Sequence, residues 1–243
     1  MLFPFSFFSS VNAVGTTTFD PNSISGLKLW LKGDAGVFSD AGITPAVADG
    51  TVQQWNDQSG NGNHVSEATL GARPLFKTGI LNGRSIVRFD GSNDRLSVSL
   101  SPTIGQPTTI YIVMKVIAGA YYFYGKNDGG GSDYGYGIIN NPGTNITSNA
   151  GATLQYTYGS ELFTYGIHAL FLNGGSSEIR VNGISRVIGN AGTSRLLPGI
   201  TLGGAATNYS EVDYSEILVY DSILSLSDRI SVENYLNSRY NIF

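Results

Sequence analysis

Short runs of β-branched and aromatic residues recur between clusters of Gly, Asn, Asp and Ser, as in LKLWL (27–31), SIVRF (85–89), TIYIVMKVI (109–117) and EILVY (216–220). Runs this short suit strands, whereas an amphipathic helix needs apolar residues at i, i+3 and i+4 sustained over roughly ten or more positions. Glycine supplies the turns between them: 32 of 243 residues, about 13% against an ordinary ~7%. The pattern predicts an all-β chain. In SEIRVNGISRVIG (177–189), Asn182-Gly183 sits between alternating apolar positions, which predicts a two-residue hairpin. The tail differs. Ser225 with Asp228 three residues on reads as a helix cap, and Val232, Tyr235, Leu236 and Tyr240 recur at helical spacing.

No repeat, charge run or Pro/Ser-rich linker divides the chain, so one domain over 22–243 with an N-terminal arm over 1–21 is expected, the boundary falling near Pro21. Fourteen basic against eighteen acidic side chains, without a Lys/Arg cluster, exclude the counterion-release term that drives nucleic-acid binding. The absence of cysteine excludes disulfides, thiolate metal sites and thiol nucleophiles. Two distant histidines, His64 and His168, argue against a multi-histidine metal site. The arm carries Leu2, Phe3, Phe5, Phe7 and Phe8, with Pro4 interrupting the run and no basic residue before it. It is too short to span a bilayer and a poor match to a secretory leader. Either it covers its own core as a terminal strand or it anchors in another protein.

GLKLWLKGDAGV (26–37), VQQWNDQSGNGNHV (52–65), RP (73–74), NGRSIVRFDGSNDRL (82–96), RVNG (180–183), ITLGG (200–204) and YSEILVYDSILSLSDRISVENYLNSRY (214–240) follow in an order that resembles the concanavalin A-like, laminin G-type jelly rolls of bacterial and phage surface proteins. The resemblance covers roughly 24–242 and leaves the arm outside. It implies a two-sheet antiparallel jelly-roll sandwich that recognises carbohydrate or protein, usually without catalysis.

Glu211-Val212-Asp213-Tyr214-Ser215-Glu216 also resembles the E-x-D-x-x-E strand of laminarinase-type retaining glycoside hydrolases, in which the first Glu is nucleophile and the last is acid/base. A retaining pair needs carboxyls about 5 Å apart. In a regular strand Glu211, Asp213 and Ser215 share one face and Glu216 takes the other, so only a bulge could bring both glutamates together. The laminin G-type pattern itself accounts for Glu216 as a non-catalytic residue, and no catalytic residue is assigned.

Asp57, Asn61 and Asn63, with Asp90, Asn93 and Asp94, are oxygen donors of the sort calcium accepts, but such residues ordinarily form turns, and no cofactor is assigned. His64 reads as a hydrogen-bonded structural histidine, and Trp30 and Trp55 as core. No histidine lies in a G-x-S-x-G context, so no serine triad is read. Tyr134 and Tyr136 sit in a glycine-rich stretch expected to be a loop; with Tyr156 and Tyr158 they are the candidate ligand contacts, each offering a flat face and a hydroxyl. Together these readings predict a non-enzymatic recognition or decoration module at a virion surface or outside the cell, held to another structural protein by its arm and meeting host glycans. A secreted bacterial carbohydrate-binding domain and a glycoside hydrolase using Glu211 and Glu216 are the alternatives, and homo-oligomerisation is left open.

Overall fold

The computed structural model describes residues 19–119, 121–125, 134–141, 143–158, 163–205 and 208–243. Among these the strands are β1 (Leu27–Lys32), β2 (Val37–Phe38), β3 (Gln54–Trp55), β4 (Val65–Ser66), β5 (Leu75–Leu81), β6 (Arg84–Asp90), β7 (Leu96–Ile104), β8 (Thr108–Ala118), β9 (Tyr121–Gly125) and β10 (Tyr134–Asn141). They continue as β11 (Gly143–Asn149), β12 (Thr153–Thr157), β13 (Gly166–Leu172), β14 (Ser177–Val181), β15 (Ile184–Gly189), β16 (Leu197–Leu202), β17 (Gly204–Ala205), β18 (Asn208–Tyr209) and β19 (Glu211–Tyr220), and the helix α1 (Leu226–Tyr240) follows.

Two antiparallel sheets face each other. One runs β15-β14-β13-β8-β19-β6-β5, with β1 paired to the second half of β19. The other runs β12-β11-β10-β9-β16-β7-β4-β3-β2, and β17 and β18 make a small separate ribbon. The chain is therefore the all-β sandwich that the short runs predict. Leu29, Trp55, Phe89, Ile112, Phe123, Leu202 and Tyr214 pack between the sheets. On the outer face of the first sheet, Trp30, Tyr111, Phe171 and Tyr220 pack with Val232, Leu236 and Tyr240 of α1. That sheet is buried on both sides, which is why β13 has no exposed residue and β8 reads as one apolar run rather than an alternation. Each large apolar side chain so buried contributes about 1.5–3 kcal/mol.

Local chemistry sets the element ends. Ser225 caps α1, its hydroxyl accepting from the Asp228 N–H at 3.2 Å and donating to the Asp228 carboxylate at 2.7 Å. Asn182 and Gly183 take φ of 51° and 73° to close the hairpin between β14 and β15. Asn82 and Gly83 do the same between β5 and β6. At the N-terminal end the packed structure reaches at least to Phe19, whose ring lies 5.7 Å from that of Tyr235; Leu2, Phe3, Phe5, Phe7 and Phe8 lie outside the described residues. Among the described residues no helix is long and apolar enough to cross a membrane.

Candidate functional site

The acidic strand β19 is not regular. Its register against β8 shifts between Tyr214 and Glu216, leaving Ser215 as an extra residue. Val212, Tyr214, Ile217 and Val219 consequently point into the inter-sheet core, while Leu218 and Tyr220 face α1. The bulge thus turns Glu216 to the same outer face as Glu211 and Asp213, correcting the parity expected of a regular strand.

Sharing a face does not give the two glutamates a shared cleft. Glu216 is wholly buried under α1. Its Oε1 accepts from Trp30 Nε1 at 2.6 Å and the Tyr235 hydroxyl at 2.8 Å; its Oε2 accepts from the Tyr240 hydroxyl at 2.7 Å and Arg239 Nε at 3.1 Å. Burial first, and the Glu216 carboxylate second, push the Tyr235 and Tyr240 hydroxyls far above their ordinary pKa, so both stay protonated donors. A carboxylate with no solvent access and four donors cannot protonate a leaving group. Glu211 lines a different groove, of about 410 Å³, with Asp90, Asp94, Arg73, Lys77 and Arg88. There burial, and then Asp90, raise the Asp94 carboxyl to about 6. Asp213, between the glutamates, is buried and takes a two-pronged ion pair from Arg88 at 2.7 and 2.8 Å and the Tyr165 hydroxyl at 2.6 Å.

Over Glu216 lies a groove of about 750 Å³ between α1 and the sheet. Trp30, Tyr235 and Phe19 present aromatic surface to it, Lys32, Arg84 and Arg239 present cations, and Ser231, Asn234 and Ser238 of α1 present short polar side chains. Trp30 and Tyr235 meet edge to face at 6.4 Å and 74°. Glu216 holds Trp30, Tyr235 and Arg239 by their polar tips from beneath, so the groove wall is fixed before any ligand arrives. Behind it, Asp34 joins Arg239 at 2.9 Å and Arg84 at 2.8 Å. Trp30 is the core residue that the sequence suggests, packed under α1 with only its rim at the groove; the groove itself was missed, its only local signal being that Trp30 and Lys32 alternate on one strand face.

The remaining sequence candidates have structural partners. Asp57 accepts from the Trp30, Ser59 and Asn63 N–H groups, while the amides of Asn61 and Asn63 donate to the Leu27 and Lys28 carbonyls, tying the turn to β1. His64 Nδ1 accepts from the Asp57 N–H at 3.1 Å. Asp90 accepts from Ser92 N–H at 2.8 Å, and Asn93 donates to the Gly71 carbonyl. Among the described residues no group of three acidic or histidine side chains converges as a metal site.

Tyr134 and Tyr136 lie in strand β10, not in a loop: Tyr136 pairs with Phe123 of β9 and Ser148 of β11. The glycine-rich stretch before them, 126–133, lies outside the described residues. Tyr156 is half-buried, with Arg186 5.6 Å above its ring. Tyr158 is buried against it and shares a 2.7 Å hydrogen bond with His168 Nδ1, so its ring supports Tyr156 rather than facing solvent.

No protein-family model matches the chain, and no curated protein matches it in sequence. Solved structures do match in fold. The binding domain of Paraclostridial Mosquitocidal Protein 1 superposes with a TM-score of 0.60 at 12% identity, over 87% of this chain and 52% of that one. The binding domain of Botulinum Neurotoxin DC in complex with SialylT gives 0.58 at 14%, over 87% and 52%. A GH54 α-L-arabinofuranosidase gives 0.57 at 15%, over 90% and 60%. The chain spans about half the length of the two binding domains it resembles.

Proposed function

We propose that the chain is a saccharide-recognition sandwich of the concanavalin A-like, laminin G type, holding a sugar on the groove of Trp30 and Tyr235 without cleaving it. The observation that carries this reading is the tethering of Trp30, Tyr235 and Arg239 to buried Glu216, which fixes in place the aromatic and cationic side chains that line the groove. Sugar rings stack their C–H faces on such platforms. The likeness in fold to a binding domain in complex with SialylT and to an arabinofuranosidase supports a saccharide ligand. Burial of Glu216 supports binding without hydrolysis. Tyr134, Tyr136, Tyr156 and Tyr158 are the second candidate contacts we propose, supported by the half-buried Tyr156 ring.

The setting we propose is a virion or other extracellular surface, with Leu2, Phe3, Phe5, Phe7 and Phe8 anchoring the module in another structural protein. The ordered sequence resemblance and the apolar arm support it. The test is a glycan array probed with the wild type, Tyr235→Ala and Tyr134→Ala/Tyr136→Ala, with new reducing ends measured on every bound glycan. Loss of a stacking ring costs about 0.5–1.5 kcal/mol, a two- to tenfold drop in affinity. Such a drop in Tyr235→Ala, without new reducing ends, supports the groove. A drop confined to the tyrosine pair moves the site to β10, and product formation replaces binding with catalysis.

A further inference from the structure

We infer that the groove selects a saccharide bearing an anionic group, and that Lys32 is the residue that meets it. The inference rests on the saccharide reading above and names its ligand class.

Lys32 is the last residue of β1 and stands opposite Glu216 of β19 in the register. A cross-strand Lys/Glu pair would ordinarily neutralise itself. Here both oxygens of Glu216 are taken by Trp30, Tyr235, Tyr240 and Arg239, so the carboxylate that faces Lys32 in register does not serve it. The Lys32 ammonium lies instead 5.1 Å from the centre of the Trp30 ring. Among the described residues no carboxylate lies within ion-pair distance of it, whereas Lys28 pairs with Asp221 at 2.9 Å and Lys77 with Asp49 at 2.5 Å.

The other two groove cations are matched. Arg239 is shared between Glu216 and Asp34, and Arg84 reaches Asp34 as well. Although burial works against ionisation of Asp34, Arg239, then Arg84 and then the nearby Lys32 charge outweigh it and hold its carboxyl below the ordinary value. Lys32 feels Asp34 only at a distance, and among the described residues it is the groove cation without a direct ion pair. The one acid on the lining, Asp20, accepts the Asn22 N–H in its own turn. In a chain of net charge −4, a half-buried lysine in an aromatic groove therefore favours a ligand with its ring in the groove beside Tyr235 and its anionic group at Lys32. Carboxylate and sulfate share the chemistry this requires.

Calorimetry of the full chain with cellohexaose, hexagalacturonate and a heparin hexasaccharide, each at 50 and 300 mM NaCl, tests it. An acidic probe is expected to bind tighter than cellohexaose and to weaken with salt. Lys32→Ala should weaken that probe about five- to tenfold, more than it weakens any binding of cellohexaose, and Lys32→Arg should retain it. Preference for hexagalacturonate assigns a carboxylate, and preference for heparin a sulfate. Equal binding of neutral and acidic probes, or acidic binding untouched in a Lys32→Ala protein of unchanged melting temperature, overturns the inference and leaves saccharide recognition standing. Failure of every probe to bind the wild type overturns both.

Discussion

Trp30 and Tyr235 donate to the same oxygen of Glu216, at 2.6 and 2.8 Å, although one residue lies on the first strand and the other on the last helix. That oxygen fixes α1 to the sheet and sets the angle at which both rings meet the groove. Its removal has a defined cost. Glu216→Gln keeps the side chain's shape but removes the charge opposite buried Arg239 and puts an amide donor where only an acceptor fits. Breaking a buried charged pair costs about 3–5 kcal/mol. Equilibrium urea unfolding of Glu216→Gln should show a loss of that order, whereas Tyr235→Phe, which deletes one hydrogen bond and keeps the ring, should cost about 1 kcal/mol. Equal, small losses would mean that the cluster is not what holds the helix down.

Stability should respond to pH through two groups of opposite sign. Burial lowers the His168 imidazole from an ordinary 6.5 to about 3. Between those values the unfolded chain binds a proton that the folded chain refuses, so His168 leaves stability intact above about pH 6.5 and lowers it as the pH falls toward 3, by up to about 1.4 kcal/mol per unit. Asp94 runs the other way. Desolvation and then Asp90 raise it from 3.8 to about 6, so its cost is absent below about pH 4 and complete above about pH 6. Asp94→Asn keeps an oxygen to accept the Asp90 N–H and removes that cost. It should therefore stabilise the protein at pH 7.5 by about 1–3 kcal/mol and lose the advantage at pH 4, read from urea midpoints across the range. Destabilisation at pH 7.5 would mean that the ionised Asp94 has a partner the structure does not give it.

The arm and the sandwich should separate. Among the described residues, the inter-sheet core and the core under α1 are both assembled from Phe19 onward. Deletion of residues 1–18 should shift the melting temperature by no more than a few degrees, the effect of about 1 kcal/mol or less in a domain of this size. Attachment to the proposed partner structure, measured by co-sedimentation, should be abolished. A steep fall in melting temperature would place the arm in the core instead.

Much of this architecture is local and was legible. Asn182-Gly183 announces its hairpin because both residues tolerate positive φ, and Asn82-Gly83 carries the same signature between β5 and β6. Ser225 and Asp228 mark the start of α1, since a cap is a contact over three residues. The groove was not legible, because its parts meet only through tertiary structure: Trp30 and Glu216 are 186 positions apart. The bulge at Ser215 was equally hidden, as no Gly or Pro marks it, and it alone decides which way Glu216 points. Tyr134 and Tyr136 show the opposite failure: glycines on either side read as a loop, yet pairing on both sides carries β10 through Gly135 and Gly137.

Glycine is a conformational need at Gly62 and a spatial one at Gly203. Gly62 has φ of 75° with nothing within 4 Å of the position a Cβ would take. Gly62→Ala should therefore cost only the left-handed backbone penalty, about 1–2 kcal/mol. Gly203, after β16, has φ of 84°, and a Cβ there would overlap the Phe89 ring and stand 2.7 Å from the Asp94 carbonyl oxygen. The Phe89 ring is locked edge-on against Tyr214 at 5.3 Å inside the core, so it has no room to yield. Gly203→Ala should add an overpacking cost of about 1–3 kcal/mol to the backbone penalty. It should also disturb the Asp94 side of the groove that Glu211 lines, so its pH profile should lose the Asp94 contribution while Gly62→Ala keeps it. Urea unfolding of both variants at pH 4 and 7.5 decides this, and equal losses with parallel profiles would show that Gly203 serves the turn alone.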